Sequence, residues 1–207
     1  VNNLDNSKRN DQRQYRSIQT QFKITRSENS QDGKYIDGYF SLYGIITELW
    51  TGACEVIEPG AFDRAVREDD VRALINHDTT LVLGRTKAET LELRSDNTGL
   101  WGRICINEND TEAMNLYYRV ERGDVDQCSF GFNIIREETE YPEDGGVIWH
   151  IKEVKLYEVS PCTFPQYEET SISARKADYE EIRKRQLSLR KEKSKKRLEC
   201  IFNAESN

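Results

Sequence analysis

Apolar residues recur at two spacings along this chain, and the spacing changes mark its elements. Ile18, Phe22 and Ile24 stand among polar neighbours and predict a strand that starts near residue 18. After a polar turn at 26–33, residues 34–46 (KYIDGYFSLYGII) are aromatic and β-branched, with Gly38 and Gly44 marking bends. Ala61, Phe62, Ala65 and Val66 make one stripe and predict a short helix from Pro59 to Arg67. A strand over Val71–Ile75 ends at Asn76 and His77, and a hairpin folds around the DNTG at 96–99. Residues 110–122 read as a helix capped by Asp110 and stopped by Gly123. Two long strands, 126–138 and 147–159, flank the PEDGG turn at 142–146. A short strand at Ser171–Ala174 follows, and a helical pattern runs from about Lys176 to Phe202.

These elements add up to a β-rich α+β domain of about seven strands and two short helices, followed by a helical arm. Residues 1–17 show no apolar period and are rich in Asn, Asp, Gln and Arg, so they are expected to be disordered. The expected organisation is therefore a polar segment 1–17, a domain 18–175 and an arm 176–207. No internal repeat is found.

Charge sharpens this division. The net charge is −7, yet residues 175–197 carry eleven basic and four acidic side chains. A basic arm on an acidic body suggests an interaction with an acidic protein surface or with nucleic acid. No aromatic residue is interleaved after Tyr179, so base stacking is not indicated and nucleic acid is the weakest partner class. Apolar runs of a few residues are far below the ~18 of a membrane span. The first residue is Val1, which suggests a processed, trimmed or partial product.

The five cysteines include no C-x-x-C pair, and there are two histidines. Neither a disulfide framework nor a metal cage is expected, and no cofactor is called for. Two features remain for chemistry: His77, which closes a strand in LINHD, and Ser129 in CSFGF. A histidine and a serine supply the base and nucleophile of acyl transfer. The alternative reading of His77 is a polar strand-end residue. Pairing of the two long strands about residues 143–145 sets Ser129 opposite position 158 or 159. Glu158 then lies beside it, Glu153 falls roughly 20 Å away and His150 roughly 30 Å at ~3.3 Å per residue. Cys128 adjoins Ser129 but must face the other side of its strand, as a buried and inert thiol. Ser160 and Cys162 lie close to the same place.

Taken together, GYFSLYG (38–44), EVIEPGAFDRAV (55–66), LINHD (74–78), LGR (83–85), SFGF (129–132) and EVKLYEVSPCTFP (153–165) resemble the HK97-type phage prohead proteases in order and spacing. Two stretches depart from that pattern: Ile75-Asn76 ahead of the His, and ELWTGAC at 48–54. The resemblance covers about 38–175. It implies an open or closed, antiparallel-rich β-barrel with short flanking helices, distantly similar to herpesvirus assembly proteases. It also implies a serine endopeptidase of procapsid maturation, acting on scaffold and capsid protein and on itself, inside the procapsid in the host cytoplasm. By motif the base is His77 and the nucleophile Ser129. Both Glu158 and Glu153 lie in family-like positions for the third member; the hairpin count favours Glu158, with Glu153 the alternative and His150 a minor option because herpesvirus relatives use a second His. Backbone N–H groups at Phe130 or Gly131, with Arg85 assisting, are the candidates to hold the oxyanion. Self-association is a further expectation. The rival reading is a non-catalytic assembly or tube-like structural protein on the same barrel.

Overall fold

The computed structural model describes residues 13–26, 33–142 and 145–164 and, between 179 and 197, all but residues 181, 186, 190 and 193. The chain divides into two compact units, Val1–Ser171 and Ile172–Asn207. The described part of the first unit holds eleven strands. They are β1 (Gln14–Gln19), β2 (Lys23–Arg26), β3 (Lys34–Leu42), β4 (Ile46–Trp50), β5 (Ala53–Ile57), β6 (Arg72–Ile75), β7 (Asp78–Arg85), β8 (Leu91–Ser95), β9 (Gly99–Ile106), β10 (Gln127–Glu140) and β11 (Val147–Cys162). A single helical turn, α1 (Ala65–Glu68), follows β5, and α2 (Thr111–Arg122) links β9 to β10.

The strands make two hydrogen-bonded sheets. The larger runs β1-β10-β11-β5-β4, with β6 also on β11 and β7 beyond β6; the smaller runs β2-β3-β9-β8. The expected antiparallel-rich character holds, but no closed barrel forms among the described residues. Instead β11, with sixteen residues, is long enough to serve two partners in parallel. Its first part pairs β5 (Val147↔Ala53 to Ile151↔Ile57), and its last part pairs β6 (Glu158↔Arg72, Val159↔Ala73). Both sheets turn apolar faces to one core, where Ile36, Phe40, Leu100 and Ile104 join Phe130, Phe132, Ile151 and Leu156. Rings interlock through it: Phe62 meets Phe130 edge-on at 5.4 Å, and Phe130 stacks on Phe132 at 5.0 Å.

Local chemistry explains the elements that carry the site. Asp110 Oδ1 accepts the N–H groups of Glu112 (2.9 Å) and Ala113 (3.3 Å), and Gly123 ends α2 in the left-handed region at φ 86°. The helix expected over Pro59–Arg67 shrinks to turns and α1: Gly60 takes a φ of 85°, in the left-handed region, so no right-handed helix runs through it. The hairpin of β10 and β11 forms as expected, but bulges shift its register so that Ser129 faces Ser160 and Glu158 faces Gly131. One correction concerns the first residues: β1 begins at Gln14, inside the stretch expected to be disordered. Its inward positions are Gln14 and Arg16, so a paired strand there leaves no apolar alternation to read.

In the second unit, the described residues between 179 and 197 are helical and, apart from Ile182, mostly exposed. The strand expected at Ser171–Ala174 lies outside the described residues, as do residues 1–12.

Candidate active site

His77 occupies an uncommon backbone position. Ile75 pairs with Asp78 across β6 and β7, so Asn76 and His77 form a two-residue hairpin turn, with φ of 49° and 63°. Positive φ at both positions is what a type I′ turn requires, and glycine usually takes the second. A non-glycine residue there costs on the order of 1–3 kcal/mol and must be held by its surroundings. Two sets of bonds from the end of β11 hold it. Asn76 N–H donates to the Pro161 carbonyl (3.1 Å), and Asn76 Oδ1 accepts from Thr163 N (2.9 Å). The His77 N–H donates to Ser160 Oγ at 3.3 Å.

The turn presents the imidazole to Glu158. His77 Nδ1 lies 2.6 Å from Glu158 Oε1, and Ser160 donates its hydroxyl to the other carboxylate oxygen at 2.5 Å. The side chains of His77 and Glu158 are 8% and 3% exposed, so water does little to screen the pair. A carboxylate at Nδ1 holds the ring proton there and leaves the Nε2 lone pair for base chemistry. Nε2 is buried with no hydrogen-bond partner among the described residues. Gly131, opposite Glu158, makes room for this arrangement: a Cβ there would meet Glu158 Oε1 at 2.7 Å and the Tyr15 ring at 2.9 Å.

Ser129 lies on the same face of the sheet, two residues along β10 from Gly131 and opposite Ser160. It is fully buried, and its hydroxyl donates to the Arg16 carbonyl on β1 at 3.0 Å. The structure therefore joins His77 to Glu158 and sets Ser129 on their face, but forms no His77–Ser129 hydrogen bond. Tyr15 of β1 packs edge-on against the imidazole, ring centres 4.7 Å apart.

The other candidates go elsewhere. Glu153 pairs with Arg64 (3.2 Å) and Arg136 (3.8 Å). His150 bridges Glu58 (2.6 Å) and Glu140 (2.9 Å), far along the hairpin from His77. Burial alone would lower the His150 pKa, but the two carboxylates outweigh it and leave it raised. Arg85 is clamped on Asp70 by two bonds, at 2.8 and 2.5 Å, and this hydrogen bonding holds the Asp70 pKa down at about 2. Phe130 points its ring into the core. Cys128 is buried on the opposite face, where desolvation raises its thiol pKa well above the ordinary value. Desolvation, with the Glu158 charge second, pushes Cys162 up to about 12. Neither thiol is poised as a nucleophile.

The roles of Ser160, Asn76 and Tyr15 escape sequence reasoning. Only the hairpin count hinted at Ser160, and nothing in the polar run around Tyr15 pointed to this site. Among the described residues no group of three or more His, Cys, Asp or Glu side chains is placed to hold a metal ion, and no helix is long and apolar enough to cross a membrane.

Comparison with known proteins decides the family. Residues 20–185 match the caudovirus prohead serine proteases. This chain belongs to that family. It is similar to the prohead protease of Enterobacteria phage HK97, 28% identical over 159 residues that span 75% of this chain and 67% of the relative. Among solved structures, it is similar to the bacteriophage T4 capsid assembly protease, with a TM-score of 0.43 and 12% identity over 72% of this chain and 98% of the other.

Proposed function

We propose that this chain is a serine endopeptidase of procapsid maturation that cleaves capsid or scaffold protein segments, and itself, with Ser129 as nucleophile, His77 as base and Glu158 as the group that orients His77. The observation that carries the reading is the 2.6 Å bond from His77 Nδ1 to a buried carboxylate, on the sheet face that also bears Ser129. In the reaction, His77 Nε2 takes the Ser129 proton as Oγ attacks the scissile carbonyl. Glu158 stabilises the positive charge that develops on the ring, and Ser160 holds the carboxylate in place. The ring then passes its proton to the leaving amine, and water repeats the sequence on the acyl-enzyme. The N–H of Phe130, next in chain to the nucleophile, is the donor nearest the developing oxyanion. Arg85, held by Asp70, acts at most through the field of its charge.

Supporting this reading over Glu153 or His150 is the placement of both: each is engaged in ion pairs along another part of the hairpin. The basic arm, whose described lysines and arginines are exposed, suits a tether to acidic scaffold or capsid surfaces.

The test is co-expression with the capsid precursor, with fragments read by mass spectrometry. Wild type cleaves; Ser129→Ala and His77→Ala leave the precursor whole while the domain stays folded by circular dichroism. Full processing by either variant removes its assigned role. An intact precursor with the wild type would favour a non-catalytic assembly role.

A further inference from the structure

β1 lies against two of the groups assigned above to catalysis, Ser129 and His77. β1 pairs antiparallel with β10 from Gln14↔Phe132 to Gln19↔Gln127, directly over Ser129 and Gly131. The Thr20 N–H donates to the Asp126 carbonyl at 3.0 Å, one step beyond that ladder. Hydrogen-bonded pairs alternate along antiparallel strands, so Arg16↔Phe130 and Ile18↔Cys128 are the bonded pairs, and the Phe130 N–H points at β1. The Arg16 carbonyl therefore sits where the oxyanion donor aims, and it also takes the Ser129 hydroxyl proton at 3.0 Å. With its hydroxyl engaged on the Arg16 carbonyl, Ser129 makes no hydrogen bond to His77 Nε2, which has no partner among the described residues. Tyr15 closes the imidazole from the same strand.

The inner face of β1 is built of polar groups. The Arg16 guanidinium donates to Glu55 at 2.5 and 2.8 Å and to Gln14 Oε1 at 3.0 Å. On the other face of β1, opposite Ser129, Ser17 Oγ is buried with no hydrogen-bond partner among the described residues. β1 is held on the edge of the sheet by its ladder to β10, by the buried Arg16–Glu55 pair, by Gln19 on Asp126 and by Tyr15 on His77, all contacts that another extended peptide of matching sequence can supply.

We propose that the β10 edge is the peptide-docking site of this protein, that it takes an extended segment presenting arginine or lysine opposite Phe130 toward Glu55, and that β1 fills it as a built-in inhibitor. This rests on the assignment of Ser129 as the nucleophile. Substrate adds to β10 antiparallel, main chain to main chain, only after β1 leaves. The fraction of molecules with β1 released then sets the apparent activity.

The experiment uses the full chain and a fluorophosphonate that modifies active serine, with the site mapped to Ser129 by mass spectrometry. Ile18→Pro removes a ladder N–H and loosens β1; hydrogen exchange at residues 127–132 reports the release. Labelling rises about tenfold or more over wild type. A synthetic peptide of residues 13–20 added to Ile18→Pro suppresses labelling, and the same peptide with Arg16→Glu does not. In the opposite direction, Gln19→Cys/Gln127→Cys joins a directly opposed, non-hydrogen-bonded pair. Its oxidised form labels more slowly than wild type, and reduction restores the rate. Equal labelling of wild type and Ile18→Pro, with β1 released by exchange, overturns the inhibitory strand and leaves the nucleophile standing. Labelling of neither, with β1 released, overturns Ser129 as nucleophile and the docking proposal with it. Equal suppression by the two peptides overturns the role of Glu55.

Discussion

Replacing Glu158 by glutamine removes one charge and almost no volume. The amide oxygen can still accept from His77 Nδ1, where the carboxylate now lies at 2.6 Å. The amide N–H₂ would face Ser160, whose hydroxyl now donates at 2.5 Å and can rotate to accept. The geometry therefore survives and the change is electrostatic. Two unit charges about 4 Å apart at an effective dielectric of about 20 interact by about 4 kcal/mol. That attraction exists only once the ring becomes positive, so its loss falls on the transition state. At about 1.4 kcal/mol per decade, labelling of Ser129 by a fluorophosphonate slows by about three decades. Glu153→Gln is the control: it disturbs only the pairs with Arg64 and Arg136, and its rate stays within about threefold of the parent. Second-order labelling constants, each variant against its parent at one pH, give the comparison. A Glu158→Gln protein within tenfold of its parent, or an equal loss in Glu153→Gln, would falsify the assignment of Glu158 as the orienting carboxylate.

Ser160→Ala strips a buried carboxylate oxygen of its donor and the His77 N–H of its acceptor; stability falls by about 2 kcal/mol in urea denaturation and labelling slows with it, whereas unchanged values of both would show that the hydroxyl positions nothing. His150 contributes stability through Glu58 and Glu140 in the opposite sense to an acid. Its folded pKa is raised, so the contribution is full below the unfolded value of about 6.5 and fades as pH climbs through the folded value. The stability difference between wild type and His150→Gln should shrink as pH rises from about 6 to 8.5, and a difference that grows would contradict the bridge. Cys128 and Cys162, with thiol pKa values pushed up by burial, should resist maleimide at neutral pH in the native protein and react after denaturation; rapid native alkylation of Cys128 would contradict its placement in the core.

Much of the site could be read before any coordinates. LINHD marked the end of a strand at Asn76 and His77, and the structure has the β6–β7 turn at those two residues. The symmetric pair of long strands around PEDGG set Ser129 near Glu158 to within two residues. The error was one of register: bulges after Gly131 and around Ile134–Glu137 shift the pairing, and a bulge leaves little trace in an alternating pattern. Glu158 was thus placed beside Ser129, whereas it faces Gly131, a residue small enough to leave the carboxylate room.

Local information sufficed wherever the cause was local: the α2 caps, the DNTG turn, the burial of Cys128 by strand alternation, the two strands of the hairpin. Tertiary structure alone decided which carboxylate meets the imidazole, because β6 and β11 are joined by a parallel pairing between residues more than eighty positions apart, and no periodicity encodes it. It alone decided the fate of β1 as well. Gln14, Tyr15, Arg16 and Ser17 look like a solvated tail because their partners, Glu55, His77 and Ser129, lie in three other strands or turns, and a polar side chain becomes a buried one only when the fold delivers the group that satisfies it.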